Sequence, residues 1–467
     1  LTKLSTKIAH IIIGDIVSKG FGFILTIYLT RVLGTEGYGM VTVAMAYLGY
    51  AVFFGDYGLY NIGSREVAKP KDKRQFFPIE ILTVRMILAT SIFCIAWFAL
   101  PYILVDPQQL ILTRRYLITL LVHAYLVEWF FNGIQRYDVN AISRTIQSGV
   151  YAIGSIIIIN DPSDILNLPI LYIVGYFISA VMLISLAFKN KAFTYRKIQL
   201  GVYFNLLKSS SSVGSGMLFA HVIQLLPPIV IGIFLSTSDA GLYGAAYRLI
   251  LIGMLLDRLF VQLLIPNLSK QWSENKELTL TNMEHISRIM LSLGAIVSVF
   301  IAIGASDISS LLFGDEFVNS APIIIALSLY LFITFQNSMF SHGLVAIGKD
   351  VQFLKATSIS GVIAILLIVS SSIYFNSMFV GLAVAISELC ITFMCYYWFK
   401  KSLSFNYVTP FFFTLIIGIG IYFGSTFIHL IPIVEALLAT IVLGIALLSF
   451  RVLRLQDLRW LKVILIR

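Results

Sequence analysis

Apolar residues run along this chain in blocks of about 20, separated by short polar or basic stretches, with no alternation of apolar and polar positions over segments of about ten. A block of that length, wound as an α-helix, crosses the hydrocarbon of a bilayer while satisfying its own backbone hydrogen bonds. The pattern therefore predicts an all-α polytopic membrane protein rather than a β-barrel. At about 20 residues per crossing, spans are expected near 8–32, 38–62, 79–105, 112–135, 138–160, 167–188, 206–235, 240–269, 286–312, 320–346, 354–375, 378–399, 409–430 and 432–453, about fourteen in all. The connections left over are too short to hold a soluble domain.

Composition narrows the class further. Of 467 residues, 58% are hydrophobic and 12% charged, and mean hydropathy is +0.91. Soluble chains are nearer half apolar and a quarter charged, so there is too little polar surface here for a water-facing exterior. A soluble enzyme, a disordered chain and a secreted disulfide scaffold are excluded. Cys94, Cys390 and Cys395 lie in apolar runs and show neither CxxC nor Cys/His spacing, so they read as small core residues, and no metal or other cofactor is expected. The opening LTKLSTK leads into an apolar segment too long for a signal-peptide core and without a cleavage pattern; it is expected to stay as a membrane anchor.

The formal net charge of +10 comes from 33 Lys and Arg against 23 Asp and Glu. Cytoplasmic loops hold an excess of basic residues. With the N-terminus inside, 26 of the 33 fall in cytoplasmic segments, among them Arg65, Lys69, Lys71, Lys73 and Arg74, then Arg136 and Arg144. Outer turns such as GTEGYG (34–39), NDPSD (160–164) and STSDAG (236–241) carry none, and Arg114 and Arg115 are the exception. Both termini are thus expected to be cytoplasmic. The basic bias is mostly topology, with attraction to anionic lipids as a by-product. No basic cluster has the aromatic interleaving of a nucleic-acid-binding domain.

Shifting the chain by 202 residues lays Leu33, Thr35, Gly39 and Ala44 over Leu235, Thr237, Gly241 and Ala246, each set at the turn between an odd span and the next even one. Six spans separate the copies, an even number, so both run the same way. This predicts two parallel six-helix lobes around a central cavity, with ranges 1–200 and 201–402, plus two extra C-terminal helices and a cytoplasmic tail over 403–467. Such a frame is the usual basis of alternating access.

A charge near the bilayer centre costs several kcal/mol, so it is kept where it faces a cavity or a partner. The embedded cations are Lys19 and Arg31 in span 1, Arg85 in span 3, and Arg248 and Arg258 in span 8. Arg248 is expected about 12 Å below the outer end and Arg258 about 15 Å further in. One span from each half would thus line a cavity with positive charge. Asp15 and Lys19, four apart, can pair. Arg85, about 9 Å from the cytoplasmic end, can snorkel, and Arg31 near the outer end can do the same. Adjacent Asp257 and Arg258 point about 100° apart, and Arg248 has no acid three or four residues away, which makes it the leading unpaired cation. Candidates for ion coupling are Asp15, Asp56, Glu128, Asp257, Glu388 and His221, although a lone intramembrane histidine also reads as a hydrogen-bonded packing residue. Pro227-Pro228 should kink or unwind span 7, either as a fixed bend or as a hinge.

Gly343-Leu-Val-Ala-Ile-Gly-Lys-Asp350 has phosphate-loop spacing up to its last position, where an acid replaces Ser or Thr and no strand precedes it. It reads as a helix-end glycine followed by a cytoplasmic lysine. No nucleophile-base arrangement is evident, so an enzyme is not expected, and the energy source is expected to be an ion gradient, the membrane potential or the substrate gradient.

Arg31-Val-Leu-Gly-Thr-Glu-Gly-Tyr-Gly39, followed by Gly55-Asp-Tyr-Gly-Leu-Tyr-Asn-Ile-Gly-Ser-Arg-Glu-Val67 and by Ala240-Gly-Leu-Tyr-Gly-Ala-Ala-Tyr-Arg248, resembles the polysaccharide-transporter (Wzx-type) branch of the multidrug/oligosaccharidyl-lipid/polysaccharide superfamily. The resemblance implies a flippase. Its substrate would be an undecaprenyl-pyrophosphate-linked oligosaccharide, an O-antigen or capsule repeat unit, moved across the bacterial inner membrane. Further partners would be membrane lipids, a polysaccharide polymerase and a chain-length regulator, with no nucleic acid. The C-terminal helix pair is similar to the one that lipid-II flippases use as a groove for the lipid tail. Lipid-II flippases place essential arginines in spans 1, 2 and 8; here span 2 offers no cation within the bilayer. The alternatives are a multidrug or organic-cation antiporter of the same superfamily, which should prefer an acidic cavity, and a membrane polymerase or ligase, which should have a large outer loop.

Overall fold

A computed structural model describes residues 2–193, 200–400, 407–427 and 432–466. The described residues contain helices and no strand. The helices are α1 (Thr2–Asp56), α2 (Leu59–Ala68), α3 (Pro78–Ala99), α4 (Pro107–His123), α5 (Glu128–Gly133), α6 (Tyr137–Ile158), α7 (Leu168–Lys189), α8 (Leu200–Phe234), α9 (Thr237–Glu274), α10 (Lys276–Ile303), α11 (Ala305–Phe313), α12 (Ala321–Ala346), α13 (Asp350–Tyr374), α14 (Ser377–Lys400), α15 (Val408–Ser425), α16 (Pro432–Ser449) and α17 (Leu455–Ile466).

Among the described residues, nine helical segments are long and apolar enough to cross a membrane, one of them (Gly14–Asp56) holding two of the expected spans, and His221–Phe234 and Ile433–Ser449 are shorter apolar helices. The chain is a multi-pass membrane protein. α4 and α9 are not among the nine. α4 has 17 residues and carries Arg114 and Arg115, while α9 carries Arg248, Asp257 and Arg258.

Several local expectations change. The break expected over GTEGYG (34–39) narrows to one residue: two helices meet within α1 at Gly34 (φ 65°, ψ −173°), a conformation open to glycine alone. At the stretch matched by the 202-residue offset, Ser236 caps α9, its Oγ accepting from the Asp239 amide at 3.0 Å and donating to Asp239 Oδ2 at 2.6 Å. The expected unwinding at Pro227 and Pro228 is absent, and α8 runs through both. In an apolar setting no water replaces a lost helical bond, so the remaining ones are kept. The phosphate-loop look-alike is a helix end: Gly348 (φ 75°) follows α12, with the Lys349 amide on Leu344 O at 2.8 Å.

The chain packs as two compact units, Leu1–Gly241 and Leu242–Arg467. In the first, α1 lies against α6, α4, α3 and α8, α7 covers α4 and α6, and α2 sits on α5. Membrane helices gain little from burying apolar surface against each other, so close approach around small residues holds them. Gly63 of α2 shows this: a Cβ there would lie 2.6 Å from the buried ring of Trp129. In the second unit α12 lies along α14 and α10, α13 packs on α14, and α15, α16 and α17 all pack on α10. The segment after residue 454, expected as a tail, is helical. Trp460 Nε1 donates to Asn282 Oδ1 at 2.9 Å, and His285 Nδ1 lies 2.5 Å from Asp457 Oδ1.

Candidate functional site

In the first unit most of the embedded charges are paired. Lys19 Nζ lies 3.5 Å from Asp15 Oδ2. The centre of the group is Arg144, which sequence reasoning had counted with the topology-setting cations: Nη1 is 3.2 Å from Asp15 Oδ1 and Nη2 3.2 Å from Glu128 Oε2. Ser143 Oγ donates to Glu128 Oε1 at 3.4 Å, and Asn140 Nδ2 donates to Glu128 O and to Asn132 Oδ1, both at 3.0 Å. Asn132 Nδ2 in turn donates to Tyr60 OH at 2.7 Å. The missed signal was the spacing. Asn140, Ser143 and Arg144 fall at i, i+3 and i+4 of α6 and so share one face of the helix.

Arg85 does not snorkel. It is 2% exposed, with Nε 2.9 Å from Asp56 Oδ1 and Nη1 donating to Leu126 O at 2.7 Å. The Nε–H is not aimed at Oδ1, so charge proximity rather than a well-directed hydrogen bond holds this contact. Asp56 Oδ2 also accepts from the Tyr60 amide at 3.1 Å. The other arginines that broke the loop-charge pattern have structural partners: Arg114 Nη2 donates to Trp97 O and Arg115 Nη1 to Leu166 O, both at 2.8 Å. Carbonyls at helix ends favour cations. Arg31 is exposed. His221 is half-buried with its ring 5.1 Å from that of Phe53, a packing contact.

The second unit treats its charges differently. Arg248 and Arg258, both on α9, are exposed, and among the described residues neither has an ion pair or hydrogen bond. Asp257, beside Arg258, is buried and accepts from Ser338 Oγ at 2.7 Å. Glu388, on α14, is also buried and accepts from Asn337 Nδ2 at 2.7 Å. Adjacent residues of α12 thus hold two carboxylates from two other helices, each through a neutral group. Asp257 Oδ1 and Asn337 Oδ1 are buried acceptors with no hydrogen-bond donor among the described residues. Buried oxygens short of donors suit a proton or an oxygen-coordinated cation. Asn337 and Ser338 were also missed, because uncharged polar residues in a span carry little signal by themselves.

Outside the spans, the basic loop after α2 is built on one acid. Glu66 is buried; Oε1 lies 2.6 Å from Lys69 Nζ and Oε2 accepts from the Gln75 amide at 2.8 Å. Burial pushes the Glu66 carboxyl up, but the Lys69 ammonium and the Gln75 and Phe76 amides outweigh it and hold the carboxyl below its ordinary range. Arg74 closes the loop through Lys69 O at 3.2 Å and Val67 O at 2.9 Å.

Residues 4–272, more than half of the chain, match the family described as polysaccharide biosynthesis protein, and the chain belongs to that family. It is 22% identical over 391 residues to a Haloferax volcanii protein named as the low-salt glycan biosynthesis flippase Agl15, covering 82% of this chain and 81% of the relative. A Shigella dysenteriae protein named as an O-antigen transporter is 29% identical over 178 residues, 37% of this chain, and the match spans 43% of that relative's length. The fold is similar to that of the lipid II flippase MurJ in an inward closed conformation, with a TM-score of 0.73 at 13% identity over 92% of this chain and 97% of that one. It is also similar to an inward-facing multidrug resistance MATE family transporter of the MOP superfamily, with a TM-score of 0.65 at 14% identity over 82% and 94% of the two chains. At these identities the structural likenesses concern the fold alone. The relatives and structural neighbours of this polysaccharide biosynthesis protein are named as transporters and flippases rather than enzymes.

Proposed function

We propose that the protein is a flippase that moves an undecaprenyl-pyrophosphate-linked oligosaccharide, an O-antigen or capsule repeat unit, across the bacterial cytoplasmic membrane by alternating access, with both termini cytoplasmic. The observation that carries this reading is the pair Arg248 and Arg258, exposed on α9 with no ion pair or hydrogen bond among the described residues, Arg258 feeling the electrostatic influence of its neighbour Asp257. A guanidinium held within a span costs several kcal/mol unless an anion meets it, and a pyrophosphate matches its forked donors. Lys19 and Arg85 are neutralised by Asp15 and Asp56, so the head group falls to the two α9 arginines. The same arginines would repel the organic cations that a multidrug antiporter carries.

Asp257 and Glu388, held by neutral side chains, fit the coupling step, loading and releasing a proton or a small cation as the protein alternates. Pro227 and Pro228 are the proposed flexible point of α8. A polymerase and a chain-length regulator would use the product on the far side. The test is export in a deletion strain complemented with Arg248→Ala or Arg258→Ala. Surface polysaccharide should fall while protein level and thermal stability stay unchanged, and lipid-linked precursor should accumulate on the cytoplasmic side. Full export by both variants would end the proposal.

A further inference from the structure

The two copies of the internal repeat touch, and they do so symmetrically. At the 202-residue offset Thr35 corresponds to Thr237 and Gly39 to Gly241. A Cβ on Gly39 would lie 1.8 Å from Thr237 O, and a Cβ on Gly241 would lie 2.0 Å from Thr35 O. Each would also lie 3.0 Å from the other glycine's backbone nitrogen. The carbonyl one turn before each glycine thus packs on the opposite glycine, and exchanging the copies reproduces the contact, the logic of an isologous two-fold interface. Further along, Gly232 faces Val43 Cγ2 at 2.8 Å and Gly49 faces Leu225 Cδ2 at 2.9 Å, contacts that a side-chain rotation can relieve. At Gly39 and Gly241 both surfaces are backbone, and nothing there can rotate away.

We infer that Gly39 and Gly241 form one backbone-to-backbone closure at the expected outer end of α1, α8 and α9, and that substrate passage requires it to part. The inference rests on the flippase reading. A sugar head group does not pass between two backbones in van der Waals contact, so this path is shut in the present conformation. The contact is also suited to opening. Close backbone approaches of the Cα–H···O kind are individually weak. Each glycine is needed for the other's fit, which predicts equal and non-additive effects.

The test uses a background in which Cys94, Cys390 and Cys395 are replaced by alanine and Tyr38→Cys, at a buried position beside Gly39, reports access to a membrane-impermeant maleimide. Gly39→Ala and Gly241→Ala should each speed labelling about tenfold, as expected when a minor open state becomes dominant. The double variant should add little, and Gly22→Ala, with nothing within 4 Å of its Cβ, should leave the rate unchanged. A second arm keeps both glycines, so folding is not at issue: Thr35→Cys and Thr237→Cys joined by a short reducible cross-linker should stop export, and reduction should restore it. Unchanged labelling in both alanine variants, or full export by the cross-linked protein, overturns the inference. Labelling needs no substrate, so a chain that labels as expected but moves no lipid pyrophosphate breaks the flippase reading and leaves the closure standing.

Discussion

The two units hold the same kinds of embedded charge and dispose of them in opposite ways. In the first, Asp15, Lys19, Glu128 and Arg144 form one chain of contacts and Asp56 pairs with the buried Arg85. In the second, Asp257 and Glu388 accept hydrogen bonds only from neutral donors, and Arg248 and Arg258 form no ion pair or hydrogen bond among the described residues. Opposite charges inside a low-dielectric body attract strongly when desolvated, so a paired set stiffens the fold and has little affinity left for a ligand. An unpaired set keeps its affinity and depends on something that arrives from outside. The first unit therefore has the character of scaffold, and the second that of a site.

The largest effect expected from this contrast is on stability. Arg85→Met strands the buried Asp56 carboxylate and should cost about 3–5 kcal/mol, read as a lower melting temperature in detergent. Adding Asp56→Leu should recover most of the loss. A normal melting temperature with failed export would mean instead that Arg85 works on substrate. In the second unit Glu388→Gln should leave the melting temperature within a few degrees and remove the response of transport to an imposed proton or sodium gradient. Undiminished gradient dependence in vesicles would take Glu388 out of the coupling step.

A smaller effect concerns the loop around Glu66. Its carboxyl is held below the ordinary range in the folded chain, so its contribution is fully present above the unfolded value and is lost as pH falls through the lowered folded value. Amide exchange at Gln75 and Phe76, corrected for intrinsic rates, should accelerate only in that acidic window, and Glu66→Gln should show the faster exchange at every pH. The smallest effect belongs to Lys19. Its ion pair with Asp15 is long and partly exposed, so Lys19→Ala should shift stability by no more than about 0.5 kcal/mol and leave export nearly full. A large export defect there would restore Lys19 to the substrate path.

Much of the frame was legible in the sequence, and the site only in part. Each expected span overlaps a helix, because a run of apolar residues in a bilayer has few alternatives to winding up. Asp15 with Lys19 was readable from a four-residue spacing, and Arg248 stood out as a cation with no acid a turn away. Arg85 was misread since depth along one helix says nothing about a partner on another. Arg144 was set aside for the same reason: being near an end looked like sufficient explanation. The glycine turns at 34–39 and 236–241 were seen as equivalent, but their contact was not visible in the repeat itself.

The sequence by itself determined the membrane class, the predominance of helices and the basic bias, since each is a sum over neighbouring residues along one line. Only the tertiary structure decided which charges are spent on one another. Arg144 and Asp15 are 129 residues apart, Asp257 and Ser338 are 81 apart, and whether such pairs meet is set by which faces the helices turn toward each other. That choice is made by packing around small residues and by avoidance of unpaired buried charge, and both depend on three-dimensional neighbours that no window along the chain contains.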